Sequence, residues 1–443
     1  MTNLEAISLN GCTNLSSLDF LKYINEVKEL DLRNTSVRDY TILNTREPNL
    51  ITLVINITNE GYEKDNSEYF SLASIESCII KILDNFEDEV SFEISNLSEF
   101  CREYRGFLPA KGLDFSVLTK LKFWKAGCAN NEFYLNGGEI IDLSNCTELT
   151  SVTYWNGDQC SWKLPTNIET FSPGQGVINN ADLSLCRNLK KIRMQTALPE
   201  KFNGILNTLP SENSLEEIYV YLAYNWENLQ WLKCEKIKNI KKLGVFGYRT
   251  TNITNLKSLS GIENCPNLVN VSFNSTHLNS LKELVNCQNL QYIDINTTDV
   301  ESLQGIETLS NLQTLVANNC KIYDISAIQK CTKIEKMYLN NNKISNIDSI
   351  ANLKNITTLQ LNDNNIENLL PLENLIENGK IKFTQLNLSN NLLQTTTITG
   401  HNNIETLAKL YNAGLRTLNL SGNNFTAGST DKLKNLGWTS YKE

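Results

Sequence analysis

Histidine is nearly absent from this sequence: His277 and His401 are the only two among 443 residues, and they stand far apart in the chain. Imidazole is the commonest proton shuttle at neutral pH, so general acid–base and Cys–His or Ser–His chemistry have little to draw on. No Walker A or GxGxxG phosphate loop opens a helix, and GxSxG and HExxH are missing. CxxC and CxxH are missing too, which removes the usual spacings for zinc. Acidic pairs such as Glu216–Glu217 fall at exposed strand positions and read as solvated side chains. No catalytic, cofactor-binding or metal-ligating residue is therefore expected. Apolar runs long enough to cross a bilayer are also lacking. MTNLEAISLN has neither the basic start nor the apolar core of a secretory signal, which suggests a cytoplasmic protein, or an extracellular or cell-surface one if the N-terminus was trimmed. Positive charge is in deficit, 40 Lys and Arg against 49 Asp and Glu, so no general attraction to nucleic acid or anionic lipid is expected.

What the sequence does have is a repeat. Between Leu268 and Ile366 the segments LVNVSFNSTHL, LQYIDINTTDV, LQTLVANNCKI, IEKMYLNNNKI and ITTLQLNDNNI recur every 22 residues. Leu268, Leu290, Leu312, Ile334 and Ile356 open them, followed by Val271/Phe273, Ile293/Ile295, Leu315/Ala317, Met337/Leu339 and Leu359/Leu361. That alternation turns one face of a short strand inward. Thr276, Thr298, Cys320, Asn342 and Asn364 then hold a position where a polar side chain can satisfy turning backbone. Past it, apolar residues recur every third position, as in Ile344, Ile347, Ile350 and Leu353, which suits a 3₁₀ turn or short helix better than a second strand.

The pattern resembles the leucine-rich repeat, L-x-x-L-x-L-x-x-N-x-L. Its 22-residue form is similar to the internalin repeats and to those of a nuclear protein-phosphatase regulatory subunit. The resemblance implies an α/β solenoid, curved, with a parallel β-sheet on its concave face and 3₁₀ or short helices on the convex one. It also implies a non-enzymatic module that binds a protein or peptide partner on the concave face, as an intracellular scaffold or sensor of bacterial origin. The rival from the same resemblance is a secreted or surface-attached internalin-like adhesin whose signal and anchor were trimmed away. Bacterial ubiquitin ligases with such repeats carry a catalytic domain after the array, and this chain has no room for one.

Aligned to the regular block, the chain divides into N-terminal repeats over 1–58, an insertion or degenerate repeats over 59–117, irregular repeats over 118–255, regular repeats over 256–425 and a C-terminal cap over 426–443. In 59–117, Tyr69, Leu72, Ile75, Ile79, Ile82, Leu83 and Phe86 stand at helical spacing, so this stretch is expected to be partly helical and packed on the solenoid flank. The alternative is two degenerate repeats. In the irregular block Phe171/Pro173 is the weakest inward pair, because proline cannot donate a ladder hydrogen bond. A helix with a glycine stop at Gly414 is expected over NIETLAKLYNAG.

Twelve cysteines raise the question of disulfides or zinc. Cys146, Cys186, Cys265, Cys287 and Cys331 each lie three residues before a repeat's first apolar position, a place taken by Leu309 and Leu353 in two neighbours. Interchange with leucine marks buried apolar thiols, which favours a reducing compartment.

The outward strand residues remain. In the irregular block Trp124, Trp155, Gln195, Tyr221 and Phe246 align in one column, with Lys122, Thr153, Arg193, Tyr219 and Gly244 in the column before it. Contiguous exposed aromatics tend to mark interfaces. The expected partner-binding residues are Lys122, Trp124, Lys125, Trp155, Arg193, Tyr219, Tyr221 and Phe246, with the aromatics as anchors and the cations at the rim. The competing expectation is that these rings are covered by 59–116 or by one another.

Overall fold

The computed structural model describes residues 4–24, 27, 29–32, 35–37, 42, 52–55, 70–71, 79–82, 92–93, 99–103, 123–127, 140–154, 161–174, 180–195, 199–221, 226–247 and 254–443. They belong to two compact units, Met1–Ile218 and Tyr219–Glu443.

In the second unit the alternating residues of the repeat form three-residue strands: Asn270–Ser272, Tyr292–Asp294, Thr314–Val316, Lys336–Tyr338 and Thr358–Gln360. All pair in parallel without slippage, so Val271, Ile293, Leu315, Met337 and Leu359 lie level with one another. These five, with Phe273, Ile295, Ala317, Leu339 and Leu361, are buried. Each inward side chain contributes roughly 1.5–3 kcal/mol on burial, against an entropy cost of about 1–2 kcal/mol per backbone residue fixed. One coil alone therefore gains almost nothing, and stability comes from stacking. The series continues through Gln385–Asn387, Thr417–Asn419 and Ser440–Lys442.

Behind the strands the chain returns through 3₁₀ helices, Lys282–Asn286, Ser326–Lys330 and Asp348–Asn352. The three-residue period produces them: Ile344, Ile347, Ile350 and Leu353 line up on one side of the turn and are all buried. At the polar position, Asn364 donates from Nδ2 to the carbonyls of Leu339 (2.9 Å) and Leu361 (3.2 Å) and accepts from the Ile344 N–H at 3.1 Å. Asn342 and Asn391 bridge coils in the same way. Where a thiol stands in, Cys320 Sγ reaches the Ile295 carbonyl at 3.1 Å. The residue before each is left-handed: Ser275, Thr297, Asn319, Asn341, Asp363 and Asn390 have φ between 54° and 58°.

The helix expected near the C-terminus spans Asn403–Asn412, capped by Asn402, whose side chain accepts from the N–H groups of Ile404 and Glu405. Gly414 follows at φ 124°. At the last coil, Tyr441 lies level with Leu418, and Trp438 donates from Nε1 to the Leu433 carbonyl at 2.7 Å.

The first unit keeps the parallel pairing but varies the far side of each coil. Ile140–Asp142, Ser161–Lys163 and Asn180–Asp182 form a second parallel sheet in place of 3₁₀ turns. Trp162 from this sheet meets Phe171 from the main one edge-to-face, ring centroids 5.7 Å apart. In the next coil the helix Pro199–Thr208 takes over, burying Phe202, Ile205 and Leu206. The weak pair Phe171/Pro173 proves to be a bulge: Phe171 pairs with Ile192, but Gly174 rather than Pro173 pairs with Met194. Proline has no N–H for the ladder, and the register shifts around it.

Within 59–117 the described residues are strands. Ile79–Ile82 pairs with Thr52–Ile55 and with Glu99–Glu103, which in turn pairs with Phe123–Gly127. Phe70–Ser71 pairs separately with Phe92–Glu93. The helix suggested by the spacing of Ile79 and Ile82 is thus not formed over Ile79–Ile82; these residues carry the main sheet onward as degenerate repeats would. The remainder of the expected helical spacing lies outside the described residues.

Cys146, Cys186, Cys265, Cys287 and Cys331 are all wholly buried, and none of the five is in a disulfide. Burial pushes the thiols of Cys146, Cys186 and Cys265 up to about 12 and those of Cys287 and Cys331 up to about 11. A thiol reagent applied to the native protein at pH 8, with peptide mapping, should label exposed Cys12 and leave these five intact until denaturant is added. Labelling of several of the five before unfolding would remove them from the core.

Candidate functional site

In the second unit two rings from Glu217–Tyr221 meet one from Lys242–Phe246. Phe246 stacks on Tyr221 with centroids 4.8 Å apart and planes at 25°, and lies 6.3 Å from Tyr219 at 18°. The cause is Gly244, at the outward position beneath: a Cβ there would come within 2.5 Å of two Phe246 ring carbons and 2.7 Å of Tyr219. With no side chain at 244 the rings close over the backbone. All three remain half-buried, so each presents part of its surface outward while covering its neighbours.

Arg193 is exposed on Lys191–Gln195 in the first unit. Lys125 lies level with Thr153 and Cys101. Trp124 lies level with Val152 and with Phe100 in the parallel register. Trp155 and Lys122 lie outside the described residues.

Two further features belong to the outward face of the second unit. The first is a groove of about 540 Å³ across its last strands, whose polar lining includes Thr358, Gln360, Gln385, Asn387, Thr417 and Lys442. Hydroxyls and carboxamides offer donors and acceptors together, which suits hydrogen bonding to a polypeptide more than recognition of a single charge. The second is Asp294, an outward acid that is only 9% exposed, beside Tyr292 on the same strand. Burial raises the Asp294 carboxyl above its usual range, although Asn274, Asn296 and Tyr292 donate to it. The groove and Asp294 were not among the residues read from the sequence. Outward offsets alone would have picked out Tyr292 and Tyr338, and the burial of Asp294 needed the fold.

His277 accepts or donates at Nδ1 to Asp299 at 2.8 Å, and Lys321 pairs with the same carboxylate at 2.7 Å. The three stand at successive post-turn positions and form a surface ladder; no hydroxyl or thiol meets the other ring nitrogen of His277 among the described residues. No cluster of three or more His, Cys, Asp or Glu that would hold a metal occurs among the described residues. No helix among them is long and apolar enough to cross a membrane.

A family model described as leucine-rich repeats in two copies matches residues 310–352. No curated protein matches the chain in sequence. Among solved structures, the leucine-rich-repeat ectodomain of a plant membrane receptor kinase from Arabidopsis thaliana, in complex with Casparian strip integrity factor 2, is 17% identical with a TM-score of 0.53. That alignment covers 96% of this chain and 54% of the other. A leucine-rich-repeat protein of Leptospira interrogans is 14% identical with a TM-score of 0.51, covering 99% of this chain and 96% of that one. An internalin of Listeria monocytogenes is 15% identical with a TM-score of 0.43, covering 99% and 87%. Folds of this kind typically serve as protein–protein interaction modules rather than as enzymes. The chain folds as a leucine-rich-repeat solenoid, and its regular repeats over 310–352 match the leucine-rich-repeat model.

Proposed function

We propose that the protein is a non-enzymatic binding module that takes a protein or peptide partner on the outward sheet face of its second unit, as an intracellular scaffold or sensor. The observation that carries this reading is the Tyr219–Phe246–Tyr221 stack, three large rings partly open to solvent on a face that also holds a polar groove. Aromatic anchors beside hydrogen-bonding surface are the usual composition of an interface core and its surround. Buried cysteines outside any disulfide, such as Cys186, Cys265, Cys287 and Cys331, support a reducing compartment. Arg193 and Lys125 supply cations on the first unit and are proposed as contacts there, with Trp155 and Lys122.

The test begins with isolation of a partner from the source cell and quantitative binding to variants. Tyr221→Ala and Phe246→Ala should each weaken binding by about 2 kcal/mol, roughly thirtyfold, while Arg416→Ala, away from the face, should leave it unchanged. Affinity unaltered in both ring variants would place the interface elsewhere. A large fall in melting temperature in both would mean that the rings serve packing.

A further inference from the structure

Asp294 is a carboxylate that the fold buries without a counter-charge. It is 9% exposed, and Oδ2 accepts from Asn274 Nδ2 at 2.8 Å and from the Tyr292 hydroxyl at 3.4 Å, while Oδ1 accepts from the Asn296 N–H at 3.2 Å. No lysine, arginine or histidine pairs with it among the described residues; the groups that act on it are these three donors and burial. An unpaired charge removed from water opposes folding, so such a residue needs another reason to be there.

The hydrogen bonds do not supply that reason. The Asn296 N–H is already satisfied by Asn274 Oδ1 at 3.1 Å, and the half-buried Tyr292 reaches the carboxylate only at 3.4 Å. The one donor that depends on residue 294 is the Asn274 amide, which an asparagine carbonyl would accept equally well. The charge itself is therefore surplus to the structure.

Its surroundings suit a cation. In the parallel register Asp294 stands between Ser272 and Val316, and Val316 is followed by Tyr338. Neighbouring strands lie about 4.8 Å apart, so the small Ser272 leaves a low place beside the carboxylate. Tyr292 on the same strand reaches the carboxylate with its hydroxyl, and the strands carrying Phe246 and Tyr338 lie two places to either side. A carboxylate beside an aromatic ring attracts an ammonium or guanidinium through both a charge-assisted hydrogen bond and the ring face. The chain's net charge of −9 favours the approach of a basic segment.

We propose that Asp294 receives a lysine or arginine side chain presented by the protein partner, with Tyr292 beside it. This rests on the reading of the face as a polypeptide site and adds the chemistry of the residue it selects.

The experiment is a random-peptide display library panned on the full chain and on Asp294→Asn, followed by titration of synthetic peptides. Peptides selected on the unmodified protein should share a basic position. Replacing that residue by glutamine should weaken binding to the unmodified protein about tenfold, the scale of one charge-assisted contact, and binding to Asp294→Asn by less than about twofold. Asp294→Asn should melt no lower than the unmodified protein. Peptides without a basic consensus, equal losses on both proteins, or a marked fall in the melting temperature of Asp294→Asn would each overturn the assignment while leaving the face a peptide site. If no peptide is selected at all, the reading of the face fails and the assignment falls with it.

Discussion

Replacing Gly305 by alanine should cost about 4 kcal/mol of stability, far more than the size of one methyl group suggests. Gly305 has φ +114°, outside what an L side chain readily adopts. The added Cβ would stand 2.3 Å from the Leu281 carbonyl oxygen and 2.5 Å from its carbon, backbone atoms of the preceding coil. Relief would require the coils to separate, and the coil spacing is fixed by strand pairing on the opposite side. Gly305 also donates its N–H to Glu307 at 2.8 Å, which holds the turn in this conformation. Gly261 repeats the arrangement: φ +111°, the same bond to Glu263 at 2.8 Å, and a Cβ position 2.1 Å from the Leu229 oxygen. Gly379 provides the control, with φ +74° and open space around its Cβ position, so Gly379→Ala should cost only about 1–2 kcal/mol. Urea denaturation of the three variants measures the difference. If Gly305→Ala loses no more than Gly379→Ala, the close approach of the two coils is wrong.

The regular block was legible in the sequence because three constraints coincide there. Alternation sets the inward strand residues, the turn position demands a polar side chain, and the three-residue period sets the far side. At Trp124 only the first constraint operates, and it is ambiguous: KLKFWK admits Leu121/Phe123 or Trp124/Ala126 as the inward pair, with an apolar residue inside either way. What Trp124 lies level with is set by pairing with Ser151–Tyr154 and Glu99–Glu103, and that information is non-local. Ile79 and Ile82 failed for a related reason, since a spacing of three fits one face of a helix or, with Ile80, the two sides of a strand. The left-handed positions leave a trace in Asn319, Asn341, Asp363 and Asn390, since Asn and Asp tolerate that region, but none at the first two. Ser275 and Thr297 are not glycine, and they hold φ near 55° because their N–H groups are bonded to Asn296 and Asn318 of the following coil, each at 2.9 Å. Asp294 was invisible as a site because an outward carboxylate reads as a solvated one. Its burial depends on Asn274, 20 residues earlier, reaching it across the coil boundary.

Asn403→Ala should destabilise the second unit by about 4 kcal/mol, because one buried carboxamide joins three separate segments. Asn403 is 0% exposed at the start of its helix. Nδ2 donates to the carbonyls of Glu367 and Gln394, both at 2.8 Å, and Oδ1 accepts from the Leu369 N–H at 2.9 Å. All three partners are backbone groups at places where the longer repeats depart from regular strand and turn, so neighbouring coils offer them no ladder bond. Truncation leaves one donor and two acceptors without Asn403, and each unsatisfied buried polar group costs about 1–3 kcal/mol. A water entering the vacated volume would recover part of this, which keeps the expected loss below the full sum. The adjacent Asn402→Ala removes only a helix cap and should cost about 1 kcal/mol. Side by side, the two variants separate a buried junction from an ordinary helix start. Equal losses in Asn402→Ala and Asn403→Ala would show that Asn403 merely continues the cap, and that the segments around Glu367, Leu369 and Gln394 are held by their apolar neighbours alone.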